Sequence, residues 1–409
     1  MTGIKHLPNW WQRCEITIII WLNRFFPPPG VTPHTEEVAK KPRTELEEEE
    51  FAIGREVFAF LRKWTYFKHR VVLDLACGQG IKTTSYAAFD PEIKLVVGVD
   101  IDAKALQTAR EFSRRRGVAR ATFVIADTRA LPFKDQSVDI VISENAFEHV
   151  PRPQVAIQEA ARVLREEGIL SLRFFPLYYS RYGAHLWDYL RVPWVHVWAS
   201  SEAVAAVYRK IIEAETGRLL RDFAGKYDEK DINTYLAFQI KQFTTLNKLT
   251  PRGFYHAVAA TRGWRILHFA LINTSKLERL LAYCPGLDRF TVWGIHCVLQ
   301  RDSRSEISSS AFTRWRRRQA LRRVRQEFAA WRKATVSRCW RSLWPQSRPS
   351  HDDLSEERSD TNGWDFTRPD GIQLHHAARD MGVLGGTQSR DLVGALFHKD
   401  LRGSVREDA

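Results

Sequence analysis

The chain has 409 residues, of which 44% are hydrophobic and 27% charged, a composition typical of globular proteins with ample material for a core. Its formal net charge is +14, and most of the excess lies between Arg301 and Arg348. Five cysteines without a CxxC pair argue against a disulfide framework and predict a reducing, cytoplasmic location. The apolar run Ile16–Leu22 is shorter than the roughly 20 residues that span a bilayer, and it lacks a signal-peptide cleavage site.

The first 50 residues are predicted to form an accessory arm. The stretch from Trp10 to Phe26 indicates an amphipathic helix that Pro27–Gly30 must end. This helix could rest on a membrane surface or pack on the protein itself, and the second interpretation is favoured. A helix over Glu45–Trp64, with acidic residues near its positive end, then leads into the main domain, residues 51–300.

Short apolar runs alternate with helical segments through the first half of the main domain. This alternation predicts a parallel sheet with right-handed crossovers. The predicted strands are Val71–Leu75, Leu95–Val99, Thr122–Ala126, Val138–Ser143 and Ile169–Phe174. The predicted helices are Ile81–Phe89, Asp102–Arg116 with Asp102 as N-cap, and Pro153–Leu164, which Gly168 separates from the fifth strand.

Acidic side chains stand at the carboxyl ends of four predicted strands. Asp74 precedes the glycine-rich turn Cys77–Gly80, and the other three are Asp100, Asp127 and Glu144. In an open α/β sheet, ligands bind at this edge, and an acid about 20 residues beyond the glycines suits ribose hydroxyls. The sequence therefore predicts a nucleoside-containing ligand at the carboxyl edge.

Five stretches resemble the class I S-adenosylmethionine-dependent methyltransferases of the small-molecule type, in that family's order and spacing. They are VVLDLACGQG (71–80), VVGVDIDAKAL (96–106), ATFVIADTRALPF (121–133), VDIVISENAFEHV (138–150) and EAARVLREEGILSL (159–172). The resemblance implies an α/β fold, a Rossmann-like doubly wound seven-stranded mostly parallel sheet with a helical and aromatic lid insertion before the last antiparallel hairpin. It also implies S-adenosyl-L-methionine as cofactor.

The resemblance assigns parts of the cofactor to individual residues. The methionine end would lie on the first strand and the turn after it, and Asp100 would bind the ribose. Ile101 would pack on the adenine, Asp127 would meet the adenine amino group, and Glu144 would line the methyl-transfer side. The full cofactor-binding set is Asp74, Ala76, Cys77, Gly78, Gly80, Asp100, Ile101, Asp127, Thr128 and Glu144. Ala76 departs from the family pattern, which has a glycine there in its fullest form.

The expected reaction is in-line displacement of the sulfonium methyl group by an acceptor nucleophile, for which the protein supplies alignment. An oxygen acceptor would also need a base, and Glu144, His149 and His185 are the candidates by position and type. Glu148 and His149 could instead cap the following helix. No metal site is expected, because His185 and His196 lack clear further ligands. Oxygen, nitrogen and carbon acceptors are not distinguished.

The aromatic-rich residues 176–263 are predicted to form the lid. Tyr178, Tyr179 and His185 would line the substrate pocket, while most tryptophans belong to an ordinary core. Two strand-like runs follow, Trp264–Ile272 and Phe290–Gln300, and they are predicted to pair antiparallel.

The tail divides into a basic amphipathic segment within residues 301–344 and a polar, poorly ordered segment, residues 345–409. The helix predicted within residues 311–344 could contact an anionic membrane, bind RNA phosphates or dock by its apolar stripe.

The favoured function is methyl transfer to a small-molecule or lipid-like acceptor. The alternatives are an RNA-directed methyltransferase and a non-catalytic cofactor-binding scaffold. A nicotinamide dehydrogenase is disfavoured, since Thr83 and Thr84 stand where its third glycine belongs.

Overall fold

The computed structural model describes residues 10–26, 43–186, 189–222, 229–273, 275–282, 284, 286–305, 314 and 318. The chain divides into two units, Met1–Arg317 with Gly385–Ala409, and Arg318–Leu384. Every element given below belongs to the first unit. The predictions for residues 311–344 and 345–409 lie outside the described residues, apart from Arg314 and Arg318. No helix among the described residues is both long enough and apolar enough to cross a membrane.

The elements follow one another as an α/β alternation that ends in an antiparallel pair. The strands are β1 (Val71–Leu75), β2 (Leu95–Asp100), β3 (Ala121–Ile125), β4 (Val138–Glu144), β5 (Leu164–Phe174), β6 (Trp264–Ile272) and β7 (Gly294–Arg301). The helices up to β5 are α1 (Trp10–Leu22), α2 (Arg43–Leu61), α3 (Ile81–Phe89), α4 (Ala103–Arg115) and α5 (Pro153–Val163). Those after β5 are α6 (Val195–Trp198), α7 (Ser201–Asp222), α8 (Glu229–Thr245), α9 (Pro251–Ala260), α10 (Lys276–Leu281) and α11 (Asp288–Thr291).

The strands form one seven-stranded sheet of order β3-β2-β1-β4-β5-β7-β6. β1 to β5 are parallel, and β7 pairs antiparallel with both β5 and β6. This architecture confirms the predicted seven-stranded, mostly parallel sheet with a final antiparallel hairpin. It also brings the carboxyl ends of β1, β2, β3 and β4 to one edge.

Both faces of the sheet are covered because side chains alternate along each strand. On one face Leu73 packs in a core that α5 and α9 complete, with Phe254 fully buried. On the other face Val72 packs with Phe58 of α2 and Tyr86 of α3. Burying a large apolar side chain of this kind contributes about 1.5–3 kcal/mol. The two-sided core is what makes the sheet doubly wound.

Residues 176–263, called here the insertion, build a separate apolar core between Tyr178 and Leu246, while α9 packs in the core of the sheet. Val204, Val207 and Tyr208 of α7 form its centre, and Leu236 of α8 joins them. The accessory helix α1 packs on the same core through its apolar residues Ile16 and Ile19. The predicted packing of α1 on the protein itself is therefore present in the structure.

Two strand starts differ by four or more residues from the sequence expectation, whereas β3 begins one residue early, at Ala121. β5 begins at Leu164 rather than Ile169, because Leu164 pairs with Val138 and a register shift on β4 follows. An ion pair between Arg165 and the buried Asp139, 2.7 Å between Nη1 and Oδ2, holds this early part of the strand. β7 begins at Gly294 rather than Phe290, because Asp288–Thr291 forms the short helix α11.

Candidate active site

The loop between β1 and α3 has a left-handed backbone at three positions. φ is +54° at Ala76, +53° at Gly78 and +65° at Gly80. Asp100 fixes this loop from the end of β2, because its Oδ2 accepts the Gly78 N–H at 2.8 Å. Asp100 is thus a loop anchor as well as the predicted ribose ligand. The half-buried Cys77 donates its backbone N–H to the Val99 carbonyl, 3.0 Å away.

The two loop glycines have opposite surroundings. A Cβ at Gly80 would lie 2.4 Å from the Phe123 ring and 2.6 Å from the Ala109 methyl. A Cβ at Gly78 would meet nothing within 4 Å, so the backbone there faces open space. Gly80 therefore serves packing, while the surface over Gly78 is where a ligand can approach the main chain.

Asp74 is buried at the end of β1 and accepts a 2.6 Å hydrogen bond from the Thr83 hydroxyl. Burial raises the pKa of its carboxyl to about 7, against the opposing effects of Thr83 and Lys82. A carboxyl with this pKa changes charge near neutral pH and can pair with the ammonium group of a methionine end.

Ile101 and Asp127 lie at the ends of the neighbouring strands. The Ile101 side chain is 73% exposed, which is unusual for isoleucine and is what a packing surface for a flat ligand requires. Asp127 accepts from the Arg129 backbone N–H at 2.8 Å and from its guanidinium, and Arg129 lowers the pKa of this carboxyl. Thr128, between Asp127 and Arg129 in the chain, is buried. The sequence analysis did not identify Arg129. Because its guanidinium already donates to the Asp127 carboxylate, fewer lone pairs of Asp127 are left to accept from an adenine amino group.

Glu144 is not a free base. Its buried carboxylate accepts a 2.5 Å hydrogen bond from Nε of Arg173, and the two residues are register partners on β4 and β5. Burial raises the pKa of Glu144, and the Arg173 guanidinium opposes that rise. The carboxylate is already occupied by a cation, so its predicted role as base is disfavoured. The strand register, which the sequence does not show, is what reveals Arg173.

Glu148, His149 and His185 come together beyond the end of β4. Phe147–His149 is a 3₁₀ turn, and the His149 and His185 rings lie 5.1 Å apart between centroids. Burial lowers the pKa of His149 to about 4 and that of His185 to about 3, and it raises that of Glu148 to about 8. Neither Glu148 nor His149 caps α5, whose N-cap is Arg152. The structure brings His149 and His185 together, and their role as candidate bases stays a prediction.

The insertion clamps this turn through Asn247. The Asn247 side-chain amide donates to the carbonyls of Phe147 at 2.8 Å and Val150 at 2.9 Å. Its backbone N–H donates to the Glu148 carbonyl at 2.8 Å. Sequence reasoning missed Asn247, because nothing in its neighbourhood distinguishes it from an ordinary loop residue.

Tyr178 does not take the place expected for a pocket-lining residue, and it pairs with His196 instead. Tyr178 is buried in the insertion core, where its hydroxyl donates to the His196 carbonyl at 3.1 Å. The His196 ring in turn contacts the Tyr178 carbonyl. This reciprocal pairing makes Tyr178 a core residue rather than a pocket-lining one. Tyr179 is half-buried, with the Arg289 guanidinium 4.6 Å from its ring centroid.

The sheet order and the acidic carboxyl edge define a Rossmann-like cofactor-binding domain. Residues 73–172 match the family model described as a methyltransferase domain. Residues 73–172 therefore belong to a methyltransferase domain of the class I S-adenosylmethionine-dependent type, whose cofactor is S-adenosyl-L-methionine. The assignment of individual side chains to parts of that cofactor stays a prediction.

The chain is similar to several proteins of this class over part of their length. The uncharacterized methyltransferase YcgJ of Bacillus subtilis is 30% identical over 122 residues, which cover 30% of this chain and 47% of YcgJ. The 27-O-demethylrifamycin SV methyltransferase of Amycolatopsis mediterranei is 34% identical over 107 residues, or 26% of this chain and 39% of that protein. The crystal structure of YcgJ aligns with 63% of this chain and all of YcgJ, at 16% identity and a TM-score of 0.32.

Proposed function

We propose that this chain transfers a methyl group from S-adenosylmethionine to a small-molecule or lipid-like acceptor. The observation that carries the proposal is the position of His149 and His185. The first belongs to the turn after β4, the second to the insertion, and their rings lie 5.1 Å apart at the carboxyl edge. The turn that we assign to the acceptor side is therefore in contact with the insertion, and this contact supports a compact acceptor group over a long polymer.

The reaction needs one bond formed and one broken. A lone pair of the acceptor attacks the methyl carbon, the carbon–sulfur bond breaks, and its electrons return to sulfur to give S-adenosylhomocysteine. The sulfonium is already an activated leaving group, so the protein contributes mainly alignment and exclusion of water. The buried turn residues and the Asn247 clamp supply both, because they hold the acceptor side rigid.

A relative with an assigned substrate supports a small acceptor. The similar protein from Amycolatopsis mediterranei is named for methylation of an oxygen of rifamycin, a small molecule. The similarity covers 26% of this chain and 39% of that protein. It therefore supports the chemistry of transfer more strongly than the shape of the acceptor.

The exposed face of α1 and the turn after it supports a lipid-like acceptor reached at a membrane surface. Four large apolar side chains follow helical spacing, with exposed fractions of 74% for Trp10, 49% for Ile18, 55% for Trp21 and 64% for Phe25. Its one acidic residue, Glu15, is buried and binds Ser200, whereas Arg13 and Arg24 are exposed. Aromatic rings with flanking cations are what an anionic membrane interface attracts.

The acceptor class is tested by methyl labelling. The full chain is incubated with methyl-labelled S-adenosylmethionine and, separately, with a small-molecule extract, phospholipid vesicles and RNA. Label in the small-molecule extract or in the phospholipids supports the proposal, and label in RNA alone overturns it. Gly78→Ala is the control, because it is expected to fold and to lose the cofactor.

The membrane contact is tested by co-sedimentation with phosphatidylserine-containing vesicles. A Trp10→Ser, Trp21→Ser double variant is expected to lose most vesicle binding. The matched control is Trp198→Ser, which removes a tryptophan of similar exposure, 47%, from α6. Equal binding by wild type and both variants would show that this face does not contact lipid.

A further inference from the structure

Glu148, His149 and His185 form a donor cluster that the transfer of a methyl group does not by itself require. Each offers one ligand atom, a carboxylate oxygen or a ring nitrogen, and these three atoms lie within 4.8 Å of one another. It is the only group of three or more such residues found in the part of the chain that the structure describes. Small side-chain rotations would bring the three atoms around one ion, for which ligand bonds are about 2.0–2.2 Å.

Two residues of the cluster each have a buried polar atom that finds no hydrogen-bond partner among the described residues. Glu148 is 2% exposed, and its Oε2 has no hydrogen bond within the described residues. The same holds for Nδ1 of His149. A buried acceptor left unpaired costs roughly 1–3 kcal/mol, so one such atom on each of two adjacent residues favours a ligand that satisfies both.

The cluster has the outer contacts that orient metal ligands. Nε2 of His185 lies 3.2 Å from the Pro176 carbonyl, a contact that fixes the ring when this nitrogen carries the proton. Metal-binding histidines usually donate their other ring N–H to such a carbonyl. Asn247 holds the turn of the other two ligands through three hydrogen bonds. All three donors are therefore positioned before any ion arrives.

We propose that Glu148, His149 and His185 bind a divalent transition-metal ion. Two imidazoles and one carboxylate favour Zn²⁺ or Co²⁺ over Mg²⁺ and Ca²⁺, which prefer oxygen ligands. Three protein ligands leave a coordination position open, as in catalytic rather than structural zinc sites. The earlier expectation of no metal site considered His185 with His196, and the structure groups His185 with different partners.

The metal site also restricts the chemical class of the acceptor, an inference that rests on the proposed function. The bound ion would take an acceptor hydroxyl at its open coordination position and lower the pKa of that hydroxyl, as bound cations do for water. The hydroxyl proton would leave to solvent, and the oxygen would attack the methyl carbon while the carbon–sulfur bond breaks. The predicted acceptor class is therefore a hydroxyl compound, whose methylation should fall when the ion is removed.

The site is tested by titrating the chelator-treated full chain with Co²⁺ and recording its visible absorption, which reports coordination geometry. One site with the intense bands of low coordination number is expected, with Zn²⁺ displacing Co²⁺. Glu148→Gln and His149→Gln should each weaken binding at least about tenfold, since even outer contacts of metal sites contribute that much. The chain has 13 histidines, so a control for other sites is essential.

His268→Gln supplies that control. His268 pairs with His296, 5.0 Å between ring centroids, in a half-buried histidine pair outside the cluster. The proposal is overturned if wild type shows no such site or if His268→Gln alone removes it. Titration with S-adenosylhomocysteine, expected to be equal in all variants, separates loss of the metal site from loss of the fold. Failure of the proposed function would appear independently, in the methyl-labelling experiment.

Discussion

Gly78 and Gly80 share a left-handed backbone but differ in what surrounds their hydrogens. Open space over Gly78 and the Phe123 ring over Gly80 separate a binding role from a packing role within one short turn. Residue types alone would not separate these roles, because both glycines belong to the same motif. The difference is directly measurable.

Alanine at the two positions should have different consequences. Gly80→Ala places a methyl 2.4 Å from Phe123 and should lower the free energy of unfolding by about 2–4 kcal/mol, through overpacking and backbone strain together. Gly78→Ala should cost only about 1–2 kcal/mol, the cost of its left-handed backbone, yet weaken S-adenosylhomocysteine binding strongly. Chemical denaturation and calorimetric titration test both. Equal destabilisation by the two variants would contradict the assignment.

Asp74 should make cofactor binding depend on pH. Its pKa of about 7 means that below pH 7 the carboxyl is mostly neutral and no longer attracts the methionine ammonium. The affinity for S-adenosylhomocysteine should therefore fall about tenfold between pH 8 and pH 6. Asp74→Asn should bind more weakly and lose this dependence. A wild-type affinity that is constant over this range would show that Asp74 does not titrate there.

At the scale of elements, the 3₁₀ turn Phe147–His149 depends on a residue about 100 positions away. The Asn247 side-chain amide donates to the carbonyls of Phe147 and Val150, and its side-chain oxygen accepts the Leu249 N–H at 3.1 Å. A three-residue turn has little stability of its own. The geometry of Glu148 and His149 is therefore set by the insertion and not by their own sequence.

Asn247→Ala should loosen the turn selectively. Losing three hydrogen bonds should lower the free energy of unfolding by about 2–3 kcal/mol. Hydrogen exchange should quicken at the backbone amides of His149 and Val150, which bond to Ala146 and Phe147. Asn273→Ala is the matched control, because it removes a similar 2.7 Å bond to the Thr291 carbonyl elsewhere. Faster exchange at the turn in the control as well would show that the effect is general.

The sequence predicted those elements whose signals are local. β1 to β4 carry apolar runs with an acidic residue at or within two residues of their carboxyl ends, so both the strands and the carboxyl edge were foreseeable. The early start of β5 depends on the Arg165–Asp139 ion pair, and the Glu144–Arg173 pair depends on strand register. The meeting of Glu148 with His185 depends on the path of the insertion. Long-range pairings of this kind leave no pattern in a single sequence.

At the scale of the whole molecule, the hairpin β6–β7 completes the sheet and is itself covered by α2. Phe60 of α2 lies 4.6 Å from the His296 ring and 5.3 Å from the His268 ring, between centroids. These contacts shield a histidine pair on the strands that close the domain. Burial lowers the pKa of His268 to about 4 and that of His296 to about 3. Protonation of either ring should therefore destabilise the final hairpin.

This pair should make the domain sensitive to acid. An unfolded histidine has a pKa near 6.5, so between pH 6.5 and pH 4 the unfolded chain binds more protons than the folded one. The stabilisation is thus fully present above pH 6.5 and is lost as the pH falls. The histidine pair should account for about 1–3 kcal/mol of the loss in the free energy of unfolding. This is less than the two full pKa shifts would give, because both rings are partly exposed.

Thermal denaturation between pH 4 and pH 7 measures this effect. Other buried histidines contribute too, among them His149, His185 and His196, so the comparison must isolate the hairpin. His296→Gln keeps a neutral polar group at all pH values and should flatten the fall in melting temperature, even if its melting temperature at pH 7 is lower. His256→Gln, which replaces an exposed histidine on α9, should leave the slope unchanged. If both variants show the wild-type slope, acid unfolding begins elsewhere and the hairpin is not its origin.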